Sequence, residues 1–109
     1  MILITGPLYS GKRTFARRLG GRVFCEAQAL ADPKLSPEEL AALADRLARE
    51  YDIVTAAEVG GGVVPVEPEA RARREQAGRL ACLLAARAET VVQMFCGIPS
   101  VLKGELPPC

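Results

Sequence analysis

The chain opens with an apolar stretch, Ile2 to Thr5, that runs through Gly-Pro-Leu-Tyr-Ser-Gly-Lys-Arg-Thr into a segment with helical spacing, and this junction constrains the fold more than any other part. Gly6, Gly11 and Lys12 take the first places of a phosphate-loop pattern, in which glycine is followed after four residues by glycine-lysine and then a hydroxyl residue. Arg13 stands in the hydroxyl position. The physics of each place is specific. Gly6 lets the chain leave the strand in a geometry closed to residues with side chains, Gly11 lets amides close around phosphate oxygens, and Lys12 adds a point charge. A helix opening at about Gly11 aims its unpaired N–H groups and its positive dipole end at the same anion. The candidate nucleotide-binding segment is therefore Gly6, Pro7, Leu8, Tyr9, Ser10, Gly11, Lys12, Arg13 and Thr14, with Lys12 also a catalytic candidate.

Binding polyphosphate needs no hydroxyl, but holding Mg2+ does, because the last place of the pattern normally supplies a metal ligand. A guanidinium has donors and no acceptor, so Arg13 cannot hold the metal. Thr14 could do so only if the loop were shifted by one residue. No protein metal ligands are assigned.

At 109 residues the chain is expected to be one domain, 1–109, able to bury a modest core. Charges nearly cancel at +1 and aromatics are few, which argues against a nucleic-acid surface and for a small-molecule partner. The opening Ile-Leu-Ile run is too short to span a membrane and lacks the flanks of a signal peptide, so a cytoplasmic location is expected. There is no histidine, and Cys25, Cys82, Cys96 and Cys109 lack paired spacing, so they read as reduced thiols rather than a zinc site. Cys25 and Cys96 at strand ends and Cys82 on a helix are expected to be buried packing residues.

Phe15 and Leu19 define a first helix with Arg13, Arg17 and Arg18 around them, stopped by Gly20-Gly21. Arg22 to Cys25 reads as a short second strand. Ser36-Pro37-Glu38-Glu39 is a capping box with proline at the first helical position, and Leu40, Leu43 and Leu47 form the apolar stripe of the helix that follows, with an Asp45/Arg49 pair facing water. Asp52 to Ala57 reads as a strand covered on both faces, ending at Glu58, and Gly60-Gly61-Gly62 as a loop. A long helix is expected from about Glu67 to Ala88, laced by Glu67/Arg71, Glu69/Arg73 and Glu75/Arg79. Thr90 to Cys96 reads as a fourth strand, broken by Gly97-Ile98-Pro99 before a short tail.

Strands alternating with helices predict an α/β fold, a small three-layer parallel sheet of about four strands with helices on both faces. In such sheets ligands bind beyond the carboxyl ends of the strands. That edge should gather the phosphate loop, Glu26 to Gln28, Glu58 and Gly97. Glu58, closing an apolar strand, is a candidate proton acceptor and the second catalytic residue.

The opening, Val23-Phe-Cys-Glu-Ala-Gln-Ala-Leu30, Glu58-Val-Gly-Gly-Gly-Val-Val-Pro65, then Arg71, Arg74, Ala77-Gly-Arg79, Leu84 to Glu89 and Cys96-Gly-Ile-Pro99 on to Lys103 resemble, in order, the adenosylcobinamide kinase/adenosylcobinamide-phosphate guanylyltransferase family. The resemblance implies a parallel-sheet nucleotide-binding domain, often trimeric and so a homo-oligomer, that uses GTP or ATP to phosphorylate a corrinoid in cobalamin synthesis and then attaches GMP. It also implies substrate-binding roles for Glu26, Gln28, Arg71 and Arg74. The family's guanylyl step runs through a histidine, and this chain has none, so a covalent intermediate of that type cannot form. The central region that carries that histidine is missing after about Asp32, and Ala81 stands where the family usually has asparagine. Two readings follow: a shortened kinase, or a nucleotide-binding relic without catalysis.

Overall fold

In a computed structural model, described for residues 1–7, 10–57 and 67–106, the elements are β1 (Ile2–Gly6), α1 (Lys12–Leu19), β2 (Val23–Phe24), a 3₁₀ turn (Ala27–Leu30), α2 (Pro37–Glu50), β3 (Ile53–Ala57), α3 (Pro68–Arg87), β4 (Thr90–Phe95) and β5 (Ile98–Lys103). They form one sheet in the order β2-β3-β1-β4-β5. β1 runs parallel to β3 and β4, and β2 parallel to β3, as the alternating pattern requires. β5 is an addition. The expected tail after Gly97 instead turns back and pairs antiparallel with β4, placing Phe95 opposite Ile98. Cys96 and Gly97 both have positive φ, 51° and 76°, the handedness of two-residue turns that match strand twist. Pro99 is tolerated because β5 is an edge.

Alternation along the central strands feeds two cores. Leu3, Val54, Ala56 and Val91 meet Leu40, Ala44 and Leu47 of α2 and Leu80 and Leu84 of α3. On the other face Ile4, Ile53, Val92 and Met94 meet Ala16 of α1, with Phe15 and Leu19 partly covering them. Each leucine fully buried this way contributes roughly 1.5–3 kcal/mol. All five residues of β3 are buried, as its apolar run, interrupted only by Thr55, implies.

α2 begins at the expected capping box, with the Glu39 amide donating to Ser36 Oγ and the Ser36 amide to Glu39 Oε1, each at 3.1 Å. On α3, Glu69–Arg73 and Glu75–Arg79 approach to 3.7 Å as exposed pairs, which add little stability. The Asp45/Arg49 expectation is corrected: Arg49 Nε donates to the Asp45 carbonyl, while the Asp45 carboxylate accepts from Arg87 and so links α2 to α3. Gln76, nearly buried, donates to the carbonyls of Asp32 and Leu35 at 3.1 and 2.9 Å and ties the segment before α2 onto α3. Lys103, in the segment expected as a short tail, caps α3, donating to the Ala85 carbonyl at 2.9 Å. Cys82 and Cys96 are exposed rather than buried, and Cys25 is half-buried; all three are free thiols. Cys109 lies outside the described residues.

Candidate functional site

The carboxyl ends of β1, β3 and β4 finish level, with Thr5 beside both Ala56 and Gln93, so the residues after them share one edge of the sheet. Gly6 is the last residue of β1, at φ 152°, and a Cβ there would lie 2.4 Å from the Met94 carbonyl oxygen and 2.8 Å from Ser10 Oγ. Only glycine fits between β4 and the returning loop. At the other end Gly11 takes a left-handed conformation, φ 91°, as the N-cap of α1, with no side chain capping it. The amides that open α1 are thus left for a ligand or solvent.

Lys12 is only 4% exposed although it carries a charge. Its ammonium donates to the Pro7 carbonyl at 2.7 Å and to Ser10 Oγ at 3.4 Å, which holds the Nζ over the loop rather than in solvent. Arg13 and Thr14 are exposed on the first turn of α1, with Arg17 and Arg18 exposed further along, forming a basic shoulder. Leu8 and Tyr9 lie outside the described residues.

On the β3 side, Gln28 assembles the edge. β2 ends after two residues, leaving the last amides of β3 without a strand partner on that side. Gln28 Oε1 accepts from the Ala57 amide at 2.9 Å, and its Nε2 donates to Glu26 Oε2. Glu26 itself has positive φ, 64°, and its amide donates to Thr55 Oγ1 at 3.0 Å. Ala57 pairs with Gly6 on its other side, so the Glu26 carboxylate and the β1–α1 loop flank the same strand end. Glu58 follows Ala57 directly and, with Val59 to Val66, lies outside the described residues. Arg71 is exposed and Arg74 half-buried on the first turns of α3, and both are already engaged within the structure.

On the β4 side, the Gly97 amide donates to the Ser10 carbonyl at 3.0 Å, fastening the β4–β5 turn to the loop. The expectation that the loop, Glu26, Gln28 and Gly97 share one edge therefore holds in the geometry. Sequence reasoning assigned no role to Thr55, although a hydroxyl inside an otherwise apolar, fully buried strand was the available signal. Among the described residues no cluster of His, Cys, Asp and Glu could hold a metal ion, and no helix is long and apolar enough to cross a membrane. A groove of about 780 Å³ between the segment before α2 and α3, lined by Leu35, Leu40, Gln76, Cys82 and Leu83, includes none of the candidate residues.

The family model for cobinamide kinase / cobinamide phosphate guanyltransferase matches residues 23–102. The chain belongs to that family. The match takes in Glu26, Gln28, Arg71, Arg74 and the β4–β5 turn, so the polar edge beside β3 is built from cobinamide kinase family sequence. It begins after α1, and the Gly6–Thr14 loop rests on its own residues and geometry. No curated protein matches the chain.

Proposed function

We propose that the chain binds a nucleoside triphosphate, GTP or ATP, on the Gly6–Thr14 loop and transfers its terminal phosphoryl group to a cobinamide-type corrinoid, as a cytoplasmic kinase of cobalamin biosynthesis without the guanylyl-transfer half. The observation that carries this reading is the buried Lys12 ammonium held over a loop framed by two glycines with positive φ. Lys12 and the opening amides of α1 would hold the phosphates. The acceptor hydroxyl oxygen attacks the terminal phosphorus, the bond to the bridging oxygen breaks, the diphosphate leaves, and the hydroxyl proton passes to Glu58. Glu26, kept at the edge by Gln28, and Arg71 and Arg74 on α3 are the candidate contacts to the acceptor.

Mg2+ lacks its usual hydroxyl ligand on this loop. The place that would supply a hydroxyl ligand is Arg13, which has no acceptor, and Ser10 Oγ already receives the Lys12 ammonium. Arg13 also favours a second reading, a nucleotide-binding relic, because a guanidinium beside Lys12 neutralises terminal phosphate by itself and holds it without turnover.

Arg13→Ser separates the two. If Arg13 replaces the metal, the wild type binds GTP or ATP equally well with Mg2+ or with a chelator, and the serine variant gains about tenfold in affinity on adding Mg2+, the effect of about 1.4 kcal/mol. Isothermal titration calorimetry reads both. Turnover of nucleotide by the wild type in the presence of cobinamide supports the kinase. Binding without turnover leaves the relic, and a serine variant indifferent to Mg2+ contradicts the role given to Arg13.

A further inference from the structure

Phe95, Ile98, Val101 and Leu102 are the exposed large apolar side chains of the described residues, and all four belong to the β4–β5 hairpin. Phe95 and Ile98 face each other across the turn at 66% and 67% exposure, on the opposite face from buried Met94. A soluble surface seldom leaves an aromatic ring and a branched aliphatic side chain side by side in water without a use for them. The pair is rigidly presented, because the turn between them has only two residues and the Gly97 amide is bonded to the Ser10 carbonyl of the loop. Gly11 lies in contact with Gly97, and a Cβ on Gly11 would sit 3.4 Å from Gly97 Cα.

Charge and strand order say what the pair meets. From Thr90 through Leu102 the hairpin carries no charged residue, so its occupant presents a neutral surface there. The Gly97 amide joins the turn to the loop that carries the Lys12 ammonium, so the same occupant is anionic at its other end. Across the sheet edge the order is Glu26 and Gln28 by β3, the loop after β1, then the hairpin at β4. With the reacting phosphate turned toward the Glu26 carboxylate, the nucleoside end of the ligand falls on the hairpin side. We infer that Phe95, with Ile98 beside it, is the stacking wall for the nucleobase of the triphosphate held at Lys12. This rests on the nucleotide-binding reading above and assigns the base end of the same site.

Stacking of a base on an aromatic ring is sequence-tolerant, so the wall binds ATP and GTP alike, and its removal costs about 1–3 kcal/mol, or roughly 5- to 150-fold in affinity. The test compares ATP, GTP and inorganic tripolyphosphate on the wild type, Phe95→Ala, Phe95→Tyr and Lys12→Ala, with circular dichroism to verify folding. The expected result is a tenfold or greater loss of both nucleotides in Phe95→Ala, unchanged tripolyphosphate binding, and recovery in Phe95→Tyr. Equal losses for nucleotide and tripolyphosphate would mean that Phe95 only braces the loop, and overturn the inference. So would unchanged nucleotide affinity, or a change confined to the sedimentation mass, which would assign the hairpin to contact between copies of the chain. If the wild type binds neither nucleotide nor tripolyphosphate, the phosphate-loop reading itself fails, and Phe95 is not the cause.

Discussion

Lys12→Ala is expected to lower the affinity for ATP or GTP by about a hundredfold or more, the effect of about 2.7 kcal/mol. A hydrogen bond to a charged group contributes roughly 1.5–3 kcal/mol, and an ammonium set over a loop reaches more than one phosphate oxygen. The lysine is already ordered for this. Its Nζ sits on the Pro7 carbonyl at 2.7 Å and the residue is 4% exposed, so little side-chain freedom remains to be lost on binding. Alanine also strips a partner from Ser10 Oγ and removes buried methylenes, so Lys12→Met, which keeps the stem, is the companion variant. Both should lose binding by titration calorimetry in chelator, while the methionine variant keeps a wild-type melting profile. Affinity within about threefold of wild type in both, against the tenfold expected for each 1.4 kcal/mol, would remove Lys12 from the site.

Gly6→Ala is the substitution expected to damage both fold and site. The new Cβ would lie 2.4 Å from the Met94 carbonyl oxygen, a backbone atom of β4 that cannot rotate away, and 2.8 Å from Ser10 Oγ. β1 is held in parallel register by β3 and β4, so relief requires opening the centre of the sheet. The expected cost is about 2–4 kcal/mol by urea denaturation, with nucleotide binding lost in whatever remains folded. Gly11→Ala is the contrast. Its φ of 91° is strained for alanine, but the nearest atom is 3.4 Å away, an ordinary contact, so the cost stays near the roughly 1–2 kcal/mol of a left-handed residue. Equal stability for wild type and Gly6→Ala would contradict the tight passage between β1 and β4.

The helices and central strands were legible because their signals are local. The capping box sets the start of α2, and the leucine stripe sets its buried face, without reference to the rest of the chain. The hairpin was not legible, since Cys-Gly is not the usual asparagine-glycine turn and Pro99 reads as a breaker until β5 is known to be an edge. Asp45 misled for a different reason: its local partner Arg49 was in reach, but the carboxylate went to Arg87 on another helix, a choice only tertiary packing makes. The exposure of Cys82 was recoverable, because it falls between buried Leu80 and Leu84 and so turns away from the core. At the candidate site, spacing singles out Gly6, Gly11 and Lys12. The Gln28 bridge from Glu26 to Ala57 depends on β2 stopping short, which no residue pattern announces.

We propose that the loop after β1 is an anion site at the carboxyl edge of the sheet. The most direct measurement is a titration of the isotopically labelled chain with ATP and with GTP, followed amide by amide in two-dimensional NMR spectra. The largest shifts are expected on Gly6, Ser10, Gly11 and Lys12, with smaller ones at Ala57 and Gly97. Shifts confined to the groove between the segment before α2 and α3, or none at millimolar nucleotide, would contradict it.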